Sequence, residues 1–476
     1  MRDFLLCVII LYMKQTKIVA TIGPSSFSVE TLSEMMQSGL NVCRLNFSHS
    51  EHDWHVQCIA HIREASKKTG KNIAILADLQ GPRIRTFVEE DLEIVRDQEV
   101  GIIEKGREQS ISLPHIGIDQ PYIIEQLKEK QAILIEDGKI VLETIRKEGD
   151  VWICRVEVPG KVKNHKGMNF PGAQLQLPVL TPKDEKDVRF SLENNVDYIA
   201  LSFVGRGEDV VTLRTLMETI DPNRERYPAI ISKVERHDAI ENLESIVRES
   251  DAVMVARGDL GIEVEESRVA ILQKEIIAQC LFQVKPVIVA TQMLESMMEN
   301  PRPTRAEVSD VSNAVIDHTD ATMLSGETAG GKYPVETVAM MADIIRNTEE
   351  SPYDDVYETI EMRVRSKYAH MVRGVYEFAR SNDVHTIFAT TTTGFTAHLI
   401  SHFRPDARLF IATEDEHTYR QLALVWGVRA FLFQGEEDEG RLIELLVDEA
   451  KKNNHVQSGD EVVTVSHTTV KLQRVK

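Results

Sequence analysis

Short, nearly uninterrupted apolar runs recur along the chain: TKIVATIG (16–23), NVCRLNF (41–47), NIAILADL (72–79), VDYIALSF (196–203), AIISKVE (229–235), AVMVARGDL (252–260), PVIVATQ (286–292) and ATMLSG (321–326). Such runs suit parallel strands buried on both faces. Stretches with helical periodicity lie between them, at 29–38, 51–68, 184–194, 208–219, 239–249, 268–283, 304–317 and 334–348. Eight strand–helix units in order predict an α/β fold of the (β/α)8 TIM-barrel type rather than an open sheet. Polar residues gather where the apolar runs end, the face on which such barrels carry their chemistry.

The alternation breaks once. Residues 86–178 hold short β-like runs and turn signals such as EDG, KEGD and VPGK, with no long helical pattern. They predict a small all-β domain inserted in a barrel loop, placed to act as a lid. After residue 350 the pattern restarts with a helix at 366–380, then VHTIFAT, ARLFIAT and VRAFLF with helices between, and a last strand at EVVTVS (461–466). That predicts a separate C-terminal α/β domain over 350–476, for regulation or oligomerisation. The catalytic barrel is expected over 13–85 and 179–349, and the inserted β-barrel lid over 86–178.

Composition narrows the class. At 476 residues the chain exceeds one ordinary core. Lys and Arg number 55 against 75 Asp and Glu, a net charge of −20, which argues against a general nucleic-acid or anionic-membrane binder. A local cluster of cations can still admit an anionic small substrate. The cysteines, Cys7, Cys43, Cys58, Cys154 and Cys280, are scattered and odd in number; no disulfide framework or zinc site follows, and a cytoplasmic location fits. FLLCVIILY (4–12) is too short to span a bilayer. Residues 1–12 read as an extension upstream of a start at Met13, with a marginal anchor as the alternative.

The strand ends carry the candidate chemistry. The second run ends in Arg44, Asn46, Ser48 and His49; an Arg there suits bidentate capture of a phosphate or carboxylate. The third ends in Asp78, a Gly-Pro turn, Arg83 and Arg85. The fifth offers Lys233 and Glu235, the sixth Asp259 between Gly258 and Gly261, and the seventh Thr291 and Gln292. Glu235 and Asp259, from adjacent strands, are a plausible pair for Mg2+, which takes one or two protein carboxylates and fills its shell with water and substrate phosphate. An ion network with Lys233 and Arg257 is the plain alternative. A metal, a Lys and an Arg together are what phosphoryl transfer requires.

TKIVATIGPSS, GLNVCRLNFSHS, GPRIR, NHKGMNFPG, LPVLTPKD, VARGDLG, VATQMLESM and MLSGETAGGKYP resemble, in order and spacing, the signature segments of the pyruvate kinase family. The match runs from about residue 14 to 350 and continues more weakly beyond. The resemblance implies transfer of the phosphoryl group of phosphoenolpyruvate to ADP, giving pyruvate and ATP, with Mg2+ or Mn2+, in a cytoplasmic homotetramer. It implies Lys233 as the lysine stabilising the phosphoryl group in flight and Arg44 as the phosphate-binding arginine. It implies Glu235 and Asp259 as metal ligands with the Gly258 backbone beside them, and Thr291 near the substrate carboxylate and the protonated methylene. Asn46, His49, Arg85 and Lys183 match nucleotide-side positions, and Asn46, Ser48 and Asp78 match the K+ site.

Three departures qualify this. Where many members have D-T-K-G-P-E-I-R, this chain has DLQGPRIR, with Leu79, Gln80 and Arg83 replacing Thr, Lys and Glu. A guanidinium at 83 then takes the place of K+, so weak or absent K+ dependence is expected; the plain alternative has Arg83 pointing into the interdomain cleft. Gly205 stands where the family places Arg after SFV. In TTTTGFTAHLISHFRP (390–405), which resembles an effector phosphate loop, Phe395 replaces a basic residue, so regulation by a sugar bisphosphate is not expected, and a different phosphosugar or no effector stays open. A silent ligand-binding paralogue would have lost Lys233, Arg44 or a carboxylate; a Mg2+-dependent lyase of pyruvate-type enolates would need neither the inserted domain nor Arg85 and Lys183.

Overall fold

The computed structural model describes residues 14–107, 112–120, 122–173, 175, 177–353, 367–466 and 469–476; the stretch 1–12 lies outside them. Eight parallel strands close into a barrel: β1 Lys17–Thr21, β2 Val42–Asn46, β3 Ala74–Asp78, β4 Tyr198–Leu201, β5 Ala229–Val234, β6 Ala252–Ala256, β7 Val287–Ala290 and β8 Ala321–Leu324. Each pairs with its sequence neighbours, and β1 closes on β8.

Alternation along each strand builds two cores. Ile18, Ala20, Cys43 and Leu45 pack outward against the helices, while Val19, Val42, Leu76, Ile231, Met254 and Ile288 fill the interior. Because side chains alternate along a strand, Lys233 follows Ile231 on the inward face, one pleat nearer the open end. The helices start on chemistry written in the sequence. Thr181 and Asp184 form a capping box with Pro182 in the first turn, and Thr304 and Glu307 form another.

Two elements of the large barrel differ from the reading of the sequence. The helical stretch expected at 239–249 is two helices, His237–Glu241 and Leu243–Glu249. Asn242 divides them, its amide donating to the carbonyls of Gly205 and Asp238 at 3.0 Å each. The run 252–260 is a strand only to Ala256; Arg257–Glu263 turns into a short helix with Asp259 in its first turn.

Among the described residues the inserted segment is a closed barrel of seven strands, with a two-stranded ribbon and one short helix, Tyr122–Gln126. Its core includes Val100, Ile102, Ile116, Ile133, Leu142 and Trp152. Its first strand is Ile84–Phe87, and Arg85 is in register with Gly167. Arg85, expected at the edge of the catalytic barrel, therefore stands in the sheet of the small one. Asn169 reaches back to the large barrel, donating to Glu263 at 3.1 Å.

The C-terminal sheet contains β9 Thr386–Thr390, β10 Arg408–Thr413, β11 Val428–Leu432, β12 Glu461–Val465 and β13 Val470–Arg474, in the order β11-β10-β9-β12-β13. β13 pairs antiparallel with β12 and was not expected from the sequence: every residue of VKLQR is exposed, so it lacks the buried face that makes a strand legible. Ala423 and Leu424 of this domain join the interior core and stopper the N-terminal mouth of the large barrel. Lys17 Nζ donates to the Val428 carbonyl at 2.8 Å, and Arg404 pairs with Asp320 at 3.0 Å. No helix among the described residues is long and apolar enough to cross a membrane.

Candidate active site

At the C-terminal end of the large barrel, Lys233 stands among acceptors from three strand ends. Its Nζ donates to Ser202 Oγ at 2.8 Å and lies 3.3 Å from Asp78 Oδ1 and 2.8 Å from Glu235 Oε1. The last is an ionic contact whose angles fall outside hydrogen-bond geometry, so Glu235 Oε1 keeps its capacity to accept. Glu235 Oε2 accepts from the Phe203 amide at 2.8 Å. Arg44 completes the group, its Nε donating to Asp78 Oδ2 at 2.6 Å and its Nη1 to Thr21 Oγ1 at 2.8 Å.

The charges tune one another. Burial would raise the Asp78 carboxyl, but Lys233 and Arg44 outweigh it and hold Asp78 below the usual range. Burial would likewise lower Lys233, yet Asp78 and Glu235 raise it, so its ammonium stays charged. Glu235 goes the other way: burial, with Asp259 adding to it, lifts its carboxyl despite Lys233. Glu235 is thus a buried anion that its surroundings satisfy only in part.

Thr291 follows β7 with φ 69° and Gln292 with φ 54°; Phe203, after β4, has φ 58°. A β-branched residue in the left-handed region is strained, and such strain persists only where the surroundings impose it. Here Thr291 Oγ1 accepts from the Gly258 amide at 2.8 Å and donates to the Ala290 carbonyl at 2.6 Å. Arg257 Nη2 donates to the Thr291 carbonyl at 2.6 Å and Nη1 pairs with Asp310 at 2.7 Å.

The remaining candidates are distributed around this centre. Asp259, partly exposed, is met by Arg83 at 3.5 Å. Arg83 therefore contacts the Asp259 side of the mouth; Asp78, the residue expected to share a site with it, is engaged by Arg44 and Lys233. Asn46 Oδ1 accepts from the Ser48 amide at 3.1 Å, and the His49 carbonyl accepts from His55 Nε2 at 3.1 Å. Lys183 stands outside the cluster, donating to the Phe47 carbonyl at 2.7 Å and to Asp187 at 2.6 Å. Gly205, in place of an arginine, fits its backbone against Asp238, whose Oδ2 lies 2.9 Å from where a Cβ would stand. Among the described residues no three His, Cys, Asp or Glu gather as a metal cluster; Glu235 and Asp259 both present carboxylate oxygens at this mouth.

Reading the sequence missed Ser202 and Asp310 as parts of the site, and named Arg257 only in an alternative ion network with Lys233 rather than on Asp310 and Thr291. Ser202 had a signal, being a polar residue at the end of VDYIALSF. Asp310 had none, since it lies on a helix, Arg305–Ile316, beyond the strand ends.

The family described as pyruvate kinase, barrel domain, matches residues 13–338, and that described as pyruvate kinase, alpha/beta domain, matches residues 369–474. A relative named pyruvate kinase from Geobacillus stearothermophilus is 40% identical over 461 residues, covering 96% of this chain and 78% of its own. One of the same name from Dictyostelium discoideum is 39% identical over 465 residues, covering 95% and 91%. The crystal structure of a pyruvate kinase from Cryptosporidium parvum superposes with a TM-score of 0.92 at 33% identity, covering 97% of this chain and 96% of that one. On fold, site geometry and likeness together, this chain belongs to the pyruvate kinase family.

Proposed function

We propose that this chain transfers the phosphoryl group of phosphoenolpyruvate to ADP, giving pyruvate and ATP, as the last step of glycolysis. The observation that carries this reading is the Lys233 ammonium, kept charged at the barrel mouth between Asp78 and Glu235. In the transfer the bond from phosphorus to the enol oxygen breaks, and a terminal oxygen of ADP bonds to phosphorus. The electron pair stays on the enol oxygen, and the methylene carbon then takes a proton to give the ketone. Lys233 follows the charge of the phosphoryl group as it moves, and Arg44 holds the phosphate. Thr291, locked by Gly258 and Arg257, faces the substrate carboxylate and relays the proton from water.

Glu235 and Asp259 fit a hard divalent cation, Mg2+ or Mn2+: both are oxygen donors, and Glu235 Oε1 is buried without a hydrogen bond. When bound, the ion supplies positive charge to the phosphoryl and enol oxygens. Asn46, His49, Arg85 and Lys183 line the nucleotide side in this reading. At the K+ position of the family, Asn46, Ser48 and Asp78, the carboxylate of Asp78 already meets two cations, Arg44 and Lys233, while Arg83 brings fixed positive charge to the Asp259 side of the mouth. We read the chain as a catalytic barrel (13–85 and 179–349), a β lid (86–178) and a C-terminal α/β domain (350–476), assembled as a cytoplasmic homotetramer. The Ile84–Phe87 strand moves the lid's first junction back to Arg83.

The test is a coupled assay for pyruvate and ATP from phosphoenolpyruvate and ADP with Mg2+, with and without K+, alongside light scattering for the assembly. Absence of Mg2+-dependent ATP formation would overturn the reading in favour of a silent paralogue.

A further inference from the structure

Asp187, in the helix Pro182–Glu193, is 1% exposed. An acid so deeply buried needs partners, and its carboxylate takes two, from different elements. Oδ2 accepts from Lys183 Nζ at 2.6 Å, one turn earlier in the same helix. Oδ1 lies 2.7 Å from Nε2 of His52, the first residue of the helix His52–Thr69. A carboxylate only accepts, so the imidazole proton stands on Nε2. An ordinary i,i+4 ion pair lies on the surface and contributes little; this one is closed on its acidic side and shared with a second donor.

What Asp187 holds leads to the turn after β2. Lys183 Nζ also donates to the Phe47 carbonyl at 2.7 Å, and the Phe47 amide donates to the Asp78 carbonyl at 3.0 Å. His55 grips the same turn further on, its Nε2 meeting the His49 carbonyl at 3.1 Å. Asn46, Ser48 and His49 therefore stand on a turn tied at two carbonyls from outside. Aromatic packing fixes the floor: Phe47 meets the edges of His55 at 4.5 Å and Phe190 at 5.7 Å, and His52 stacks on Phe190 at 4.3 Å. An ammonium has three donors. Two of those on Lys183 serve Asp187 and Phe47, and its side chain is 45% exposed, which leaves the third for an anion arriving from solvent.

We propose that Asp187 is a positioning residue of the nucleotide side: without touching substrate, it holds the Lys183 ammonium against the Phe47 carbonyl so that one donor stays presented to the polyphosphate of ADP. The inference rests on the phosphoryl transfer proposed above, with Lys183 on the nucleotide side. His52 is the second weight on the same carboxylate, so the hold on Lys183 depends on how Asp187 is shared between them. A lysine stem is flexible and carries a large rotamer entropy; fixing it before the nucleotide arrives removes that cost from binding.

Asp187→Asn in the full chain tests this, since it keeps the size and removes the charge. We expect the Kd of ADP with Mg2+, read by calorimetry, and the KM for ADP to rise about tenfold, as for loss of a charge-assisted hydrogen bond. The KM for phosphoenolpyruvate and kcat should hold. Asp187→Asn added to Lys183→Gln should weaken ADP binding no further than Lys183→Gln alone, because the aspartate acts through the lysine. The proposal is overturned if Asp187→Asn binds ADP as the native chain does, if both KM values rise together, or if the two substitutions add. Should Asp187→Asn fail to fold, His52→Ala at the exposed edge decides: with Asp187 left to Lys183 alone, acylation of Lys183 by an N-hydroxysuccinimide ester, followed by peptide mass, should slow, and an unchanged rate overturns the coupling. A native chain that binds ADP but forms no ATP from phosphoenolpyruvate would instead sink the proposed function, and the calorimetry would still decide for Asp187.

Discussion

Arg257 holds Thr291 by its backbone: Nη2 reaches the Thr291 carbonyl at 2.6 Å and Nε the Ala290 carbonyl at 3.3 Å, while Asp310 anchors the guanidinium. The φ of 69° at Thr291 costs on the order of 1–3 kcal/mol, and these bonds offset it. Arg257→Met should therefore let Thr291 relax toward an extended conformation and carry its hydroxyl off target. A displacement of about 1 Å costs roughly a hundredfold in rate. We expect kcat to fall by that order with KM for ADP little changed. Steady-state kinetics beside circular dichroism would check it, and an unaltered kcat in a folded variant would show that the clamp is idle.

Lys233 couples the stability of the site to its activity, and two substitutions separate them. Lys233→Met leaves Glu235 and part of Asp78 buried without a cation, a loss of about 3 kcal/mol, and should lower the melting temperature by several degrees. Turnover should drop by about a thousandfold or more. Lys233→Arg keeps the charge but spreads it over a planar fork that cannot stand as a point among Ser202, Asp78 and Glu235. It should melt near the wild-type temperature and still lose most turnover. Near-normal turnover in either variant would remove Lys233 from its assigned role.

The barrel was legible because its strands are short apolar runs buried on both faces, and a period of two then places Lys233 and Glu235 on one side. The strand ends were less legible. AVMVARGDL looks like strand throughout, but Arg257 and Gly258 turn to reach Thr291, a contact between residues 33 apart that local pattern does not encode. Asn242 splits a helix for a similar reason, a bond to Gly205 from another loop. The Lys233–Glu235 proximity followed from spacing, whereas the grip of Arg44 on Asp78 needed the register of β2 against β3. The stopper of Ala423 and Leu424 was invisible, since an apolar pair in a distant domain carries no mark of what it covers.

Arg83 makes the monovalent-ion requirement testable by charge reversal. Its guanidinium lies 3.5 Å from Asp259, so the mouth carries fixed positive charge that no dissolved ion need supply. The native chain should keep most of its rate in buffer free of Na+ and K+, with tetramethylammonium as counter-ion. Arg83→Glu should create a need for K+, with at least about tenfold stimulation, the equivalent of 1.4 kcal/mol in the barrier. Collapse of native activity without K+ would refute the substitution of arginine for the ion.

The joint between barrel and C-terminal domain should be acid-labile, and His402 identifies where. Its imidazole is buried, and Nε2 has no hydrogen-bond partner. Burial first, then Arg404, lowers its pKa from 6.5 to about 4, with Asp320 opposing; His398 in the same helix is also brought to about 4, by burial with Lys285 adding to it and Asp320 and Asp251 opposing. Between pH 6.5 and 4 the unfolded chain holds protons that the folded chain refuses, so stability rises with pH across that window. It is complete above 6.5 and lost as pH falls toward 4, by about 3 kcal/mol for His402. Carboxylates held low, such as Asp78, lose their contribution only below that window. Melting temperature against pH should therefore decline first between 6.5 and 4, and His402→Leu, which cannot take up a proton, should flatten that limb while leaving the melt at pH 8 within a few degrees. A variant with the native slope would mean that the acid-sensitive link lies elsewhere than at this helix.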